Sequence, residues 1–374
     1  VGNSADIRQS NYRIQTPDRI IWIAVLILLV VGVLMVYSAS SYLSEVRFDD
    51  QFHYLKRQFI FAITGLILMR ITMSIKYWKY KTLIPLIALI CYGSLILVFI
   101  PGIGVERNGA LRWINLGFTL FQPSELSKLC LIILLAWFLE RKGERIKTFG
   151  MGVMPALVLV GVACALIVTN DLSTTAIIAV TSGVMLFIAG MRWLHLGGLL
   201  IAGGGAFALA VSVKGYRLSR LYSFFNPWAD ASGSGYQVIQ SLYALGPGGL
   251  IGRGLGNSRQ KMLFLPEPHT DFIFSIIGEE LGLIATVLIV TLFIVIGIRG
   301  FQIAKNAPDL FGRLLASGIT ASILIQAFMN IMVVTALLPV TGVPLPFISS
   351  GGTSLWITMA SMGILLNISR HSNA

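Results

Sequence analysis

The chain has 374 residues, 56% hydrophobic and only 12% charged, with a mean hydropathy of +0.81; soluble domains carry about 25% charge, so that class is excluded and a polytopic helical membrane protein is expected. Its formal net charge is +12, but the Lys and Arg residues are dispersed among short loops between apolar spans, where they set topology, and this excludes nucleic-acid binding. Three cysteines, all inside apolar spans, and four scattered histidines form neither a disulfide framework nor a zinc-spaced cluster.

In chain order, residues 1–18 are polar, begin with Val, lack a cleavable signal pattern, and are expected on the cytoplasmic side. Apolar spans follow at 20–38 and 57–73, each long enough to cross a hydrocarbon core of about 30 Å. The loop between them holds Glu45, Asp49 and Asp50, and the next loop holds Arg70, Lys76, Lys79 and Lys81. That contrast puts the acidic loop outside and the basic loop inside. Further spans are predicted at 83–100, 124–139, 150–168, 172–190, 194–213, 271–298, 312–338 and 349–369. The result is an all-α chain of about ten transmembrane helices in a single domain, 1–374, with both termini cytoplasmic and one long extracytoplasmic segment at 214–270. No internal repeat is visible.

Three stretches predicted on the outer side concentrate polar chemistry. The loop 106–125 offers Arg107, Arg112, Trp113 and Gln122, then enters a span through Pro123, Ser124 and Glu125, a good helix start. Glu125 and Lys128 are three residues apart and share a helix face, so each can neutralise the other in lipid. Such a pair pins helices together or shapes a polar cavity. The stretch 337–354 contains Pro339, Pro344 and Pro346, which forbid a continuous helix, and Ser349, Ser350, Gly351 and Gly352 open the last span. Irregular backbone at that depth is expected to line a cavity or form a plain re-entrant turn, and its free N–H groups suit a phosphate.

The third stretch, 249–280, holds most of the chemistry: Arg253, Arg259 and Lys261, a Pro-Glu-Pro turn, His269, Thr270 and Asp271, then Glu279 and Glu280 in an apolar helix. A carboxylate at the mouth of a membrane helix, with cations upstream, suits an anionic lipid-linked substrate meeting a base; a capping aspartate in an ordinary polar loop is the plainer alternative. Continuing the helix back through Asp271, at about 100° per residue, puts Ser275, Gly278 and Gly282 on its face, Glu279 nearby and Glu280 opposite.

The stretches NGALRWINLG, FQPSELSKL, SGYQVIQSLYALGPGGLIGRGLGNSRQK, LPEPHTDFIFSIIGEELG and PVTGVPLPFISSGG resemble, in family order, the SEDS proteins, the shape, elongation, division and sporulation polymerases that include FtsW, RodA and SpoVE. The resemblance covers essentially the whole chain and is nearer the FtsW and SpoVE branch. NDLSTT at 170–175 and Ser350 depart from the usual family residues without removing an acid or a cation.

The resemblance implies a peptidoglycan glycosyltransferase that polymerises lipid II at the outer face of the bacterial cytoplasmic membrane with a class B penicillin-binding protein. Asp271 matches the family's essential aspartate and is the expected general base. Lys261, Arg253, Arg259 and Arg112 are candidate pyrophosphate contacts. Glu125, Lys128, Glu279, Ser349 and Ser350 are candidates to line the cavity. A divalent cation such as Mg or Mn could assist at the pyrophosphate, although the sequence shows no dedicated cage. The rival functions are a lipid II flippase and a non-catalytic scaffold.

Overall fold

A computed structural model describes residues 15–372 except 108, 118 and 214, so the predicted cytoplasmic segment 1–18 lies mostly outside the described residues. The chain is a helical membrane protein. Its helices are α1 (Arg19–Phe48), α2 (His53–Ser74), α3 (Ile84–Leu97), α4 (Pro123–Lys142), α5 (Met154–Val168), α6 (Leu172–Ile188) and α7 (Trp193–Ser212), then α8 (Gly215–Phe225), α9 (Tyr236–Leu245), α10 (Ile273–Asn306), α11 (Leu310–Val334) and α12 (Gly352–Ser369).

Each of the ten predicted spans coincides with a helix. Six helical segments are long and apolar enough to cross a membrane by length and composition: α1, α2, α7, α10, α11 and the stretch Phe149–Val168 that contains α5. The other spans differ for physical reasons. α3 and α6 are apolar but shorter. α4 carries the buried Glu125 and Lys128 among fully packed apolar residues, and α12 is buried almost along its length, so both face protein more than lipid. α12 packs along α2, and α11 packs against α10, α6 and α4. The buried core therefore runs through α4, α11, α12 and the first turns of α10.

Local signals set the helix starts. Asp18, Asp171 and Asp309 cap α1, α6 and α11 by accepting the backbone N–H of Ile21, Thr174 and Gly312. Proline occupies the first turn of α3, α4 and α5, where its missing N–H costs nothing. α1 continues to Phe48, so Glu45 lies in the helix and not in the loop expected there.

Two stretches read as loops are structured. Residues 104–121 form a three-stranded antiparallel sheet in the order β1 (Gly104–Arg107), β2 (Ala110–Asn115), β3 (Leu120–Phe121), with an irregular register between Val105 and Glu106. The segment 214–270 begins with α8 and α9. Arg217 of α8 anchors that segment: its guanidinium donates to the carbonyls of Val168 and Thr169 at the end of α5 and of Ala210 near the end of α7. A cation at helix C-termini answers their unpaired carbonyls and partial negative charge.

α10 is not continuous. Gly282, nine residues after the helix start at Ile273, has φ 75° and ψ −171°, which breaks the helix there. The glycine-rich segment 248–254 fills the break. Arg253 and Gly254 donate to the carbonyls of Glu279 and Glu280, and Leu283 and Ile284 donate to those of Gly249 and Leu250. A Cβ at Gly248 or Gly252 would run into the carbonyls of Gly278 and Glu280. Irregular backbone inside a membrane protein is tolerated because protein supplies the missing partners.

Candidate active site

Asp271 lies in the turn that precedes α10, outside the helix, so the regular-helix construction that put Ser275, Gly278 and Gly282 on its face is corrected. Three elements hold this turn. Asn330 of α11, 1% exposed, donates through Nδ2 to the Asp271 carbonyl at 2.7 Å and to the Val343 carbonyl at 2.7 Å. Ser349 donates from Oγ to the Thr270 carbonyl at 2.7 Å, and the Ser350 N–H donates to the His269 carbonyl at 2.9 Å. The two serines thus pin the aspartate's turn by way of its backbone, and the Ser350 N–H is not free for phosphate.

The Asp271 carboxyl is raised to about 7, first by burial and next by the negative charge of Glu267; the positive charges of Arg220 and Arg112 oppose that rise, and Asp171 adds to it. Those five residues come from five places in the chain: the sheet, the α6 cap, α8, the Pro-Glu-Pro turn and the α10 entrance. Arg220 is itself held below the ordinary guanidinium value, first by burial and then by like charge from Arg112, with Tyr216 and Asp271 acting the other way. Two guanidiniums thus act on a carboxyl raised toward neutrality. Such an arrangement can take a proton from a hydroxyl while holding an anion.

Arg112 also stands over a crevice. Leu95, Val98 and Phe99 at the end of α3, and Leu166 and Ile167 of α5, give it an apolar wall; Arg112, Ser124 and Asp171 give it a polar end. Gln122 bridges that end by donating to Asp171 Oδ2 and Ser124 Oγ, both at 3.1 Å. The buried Arg112 Nε has no protein partner.

The predicted Glu125 and Lys128 pair forms at 2.9 Å with both side chains almost fully buried. Lys128 also donates to Gln326 of α11, whose amide donates onward to the Pro344 carbonyl at 3.0 Å. Gln326 and Asn330, four apart on α11, therefore tie the ion pair and the Asp271 turn to the same loop, residues 343–344.

The remaining predicted site residues gather elsewhere. Lys261 is 4% exposed and pairs with Glu280 at 3.0 Å, while Ser38 of α1 donates to the same glutamate. Glu279 receives Arg253 at 3.4 Å, the Ser258 hydroxyl and the Arg259 N–H at 2.9 Å. Both glutamates thus clasp the 253–261 segment, Glu280 by way of Lys261 and the Ser258 N–H. Lys261 with Glu280, and Arg253 with Glu279, form the ion pairs that close the break in α10. The Arg259 side chain is exposed.

Sequence reasoning missed Arg220, Glu267 as a neighbour of Asp271, and the two α11 amides. The signal for Arg220 was available: α8 is strongly amphipathic and carries Arg217 and Arg220 one turn apart. Among the described residues, no group of three or more His, Cys, Asp or Glu side chains is arranged to hold a metal ion.

Known proteins share this layout. A family profile described as "Cell cycle protein", FtsW/RodA/SpoVE, matches residues 18–374. Stage V sporulation protein E of Bacillus subtilis is 48% identical over 358 residues, covering 96% of this chain and 98% of that protein. A probable peptidoglycan glycosyltransferase FtsW of Geobacter metallireducens is 45% identical and covers 95% of both. A structure described as "Structural coordination of polymerization and crosslinking by a peptidoglycan synthase complex" aligns with TM-score 0.77 at 29% identity, covering 95% of this chain and 98% of that one. The crystal structure of the rod shape determining protein RodA of Thermus thermophilus aligns with TM-score 0.69 at 27% identity over 96% of this chain and 98% of its own. The chain belongs to the FtsW/RodA/SpoVE family of cell cycle proteins.

Proposed function

We propose that this chain is a peptidoglycan glycosyltransferase that polymerises lipid II, in cell division or sporulation, at the outer face of the cytoplasmic membrane. The names of its relatives support the activity. The observation that carries the chemistry is the Asp271 carboxyl, raised to about 7 first by burial, with the charges of Arg220 and Arg112 acting on it. A carboxyl titrating near neutrality is matched to removing a proton from a sugar hydroxyl.

In this reading Asp271 takes the proton of the acceptor 4-hydroxyl as its oxygen bonds to the donor's anomeric carbon. The bond from that carbon to the pyrophosphate breaks, the prenyl pyrophosphate leaves with the electron pair, and the configuration inverts. Arg112 and Arg220 stabilise the departing charge through charge-assisted hydrogen bonds. Among the described residues no cluster of carboxylate, histidine or cysteine side chains is arranged to hold a divalent cation. A class B penicillin-binding protein is the proposed partner, in line with the synthase complex that shares this fold.

The test uses liposomes with lipid II in one leaflet, scoring strand formation and lipid translocation separately. Losing one charged hydrogen bond costs about 1.5–3 kcal/mol, so Arg220→Ala and Arg112→Ala should each slow strand formation at least about tenfold. Translocation by the wild type without strand formation, with the transpeptidase present, would overturn this reading and support a flippase.

A further inference from the structure

α8 has two polar faces. Arg217 and Arg220 lie on one, which turns toward the helix ends and the Asp271 pocket. Ser219, Tyr222, Ser223 and Asn226 follow at the i, i+3, i+4 and i+7 spacing on the other. There, with Asp230 and Ser234 from the turn beyond the helix, they wall an open cavity of about 340 Å³. This volume falls at the small end of ligand pockets, about 300–1,000 Å³.

The lining selects the class of occupant. Among the described residues no lysine or arginine faces the cavity, and its one charged group is the Asp230 carboxylate. A phosphate or carboxylate would meet like charge without a counter-ion. An acyl chain would strand the Asn226 amide and the Asp230 carboxylate against hydrocarbon. A neutral ring with hydroxyl and acetamido groups meets neither penalty. Its apolar face can lie on the Tyr222 ring, which is 68% exposed, while its edge bonds to hydroxyl, amide and carboxylate groups. The wall itself is already assembled: Ser223 bonds to the Ser219 carbonyl and to Ser234, and Asp230 accepts the Ser234 N–H.

We infer that this cavity is a saccharide subsite that takes N-acetylated sugar units of the glycan strand. It rests on the glycosyltransferase reading above. One helix, about 10–12 Å across with its side chains, separates the cavity from the arginine face that addresses Asp271. A strand emerging from the pocket and crossing α8 arrives there a few sugar units after the bond being made. Holding it would favour continued elongation over release.

The probe is a tetramer of β-1,4-linked N-acetylglucosamine, titrated against the purified full chain and against Tyr222→Ala and Asn226→Ala. Ser219→Leu serves as a third variant that fills the cavity without removing the ring. Wild-type protein should bind the tetramer, and each variant should bind it about tenfold more weakly, the size of one lost ring or hydrogen-bond contact. From lipid II, the variants should start strands at rates within about twofold of wild type but release shorter ones. Tetramer affinity and strand length unchanged in all three variants would overturn the inference, as would displacement of the tetramer by inorganic pyrophosphate, which would put it in the Asp271 pocket. The two readings fail separately. A wild type that binds the tetramer but makes no strands refutes the glycosyltransferase, and one that makes strands of variant-independent length refutes the subsite.

Discussion

The environment of Asp271 raises its carboxyl toward neutrality, and the aspartate serves only if its turn is held there. Asn330 does this with two 2.7 Å hydrogen bonds to carbonyls on either side of the site. Asn330→Asp keeps the shape but loses both donors and faces carbonyl oxygens with a carboxylate, so it should lower strand formation by at least about tenfold, on a loss of about 1–3 kcal/mol. It also adds negative charge near Asp271, so the acid limb of its pH profile should move upward. A variant with a reduced rate but an unmoved limb would make Asn330 a folding residue only. At this scale the sequence was legible where charge sits next to the turn, as for Asp271, Glu125 and Lys128. It was not legible for Lys261. Its partner Glu280 meets it only because the chain doubles back at the break in α10.

Among elements, apolar runs announced the spans, but the sheet and α8 stayed hidden. The strands 104–121 are short, irregular in register and mixed in polarity, so no period of two survives in the sequence. α8 alternates polar and apolar residues along its amphipathic face, and a search for apolar runs passes over it. The α4–α11 contact has its own test in the buried Glu125 and Lys128 pair. Leaving one charge unpaired costs about 3–5 kcal/mol, whereas apolar replacement of both is nearly neutral. Thermal unfolding in detergent should therefore show Glu125→Gln and Lys128→Met each less stable than the double variant. Additive losses would mean that the two charges do not support each other. Gln326, which also accepts from Lys128, limits the rescue to part of the loss.

The whole molecule is a helical membrane scaffold whose small sheet, α6 cap, amphipathic α8 and Pro-Glu-Pro turn bring four distant charges around one carboxyl. Because that carboxyl is raised, the folded protein keeps a proton that the unfolded chain has lost between about pH 4 and about pH 7. Stability therefore falls as pH rises through this window, while the carboxylate that the proposed reaction uses as base appears at its upper end. The most direct measurement is the rate of strand formation from lipid II, with the transpeptidase partner present, across about pH 5 to 9 for wild type and Asp271→Asn. The wild-type rate should rise with a single-proton limb near pH 7. Asp271→Asn should be about 10² to 10⁴ slower and lack that limb. An Asp271→Asn enzyme within a few-fold of wild type that keeps the same limb would contradict the assignment of Asp271 as the base.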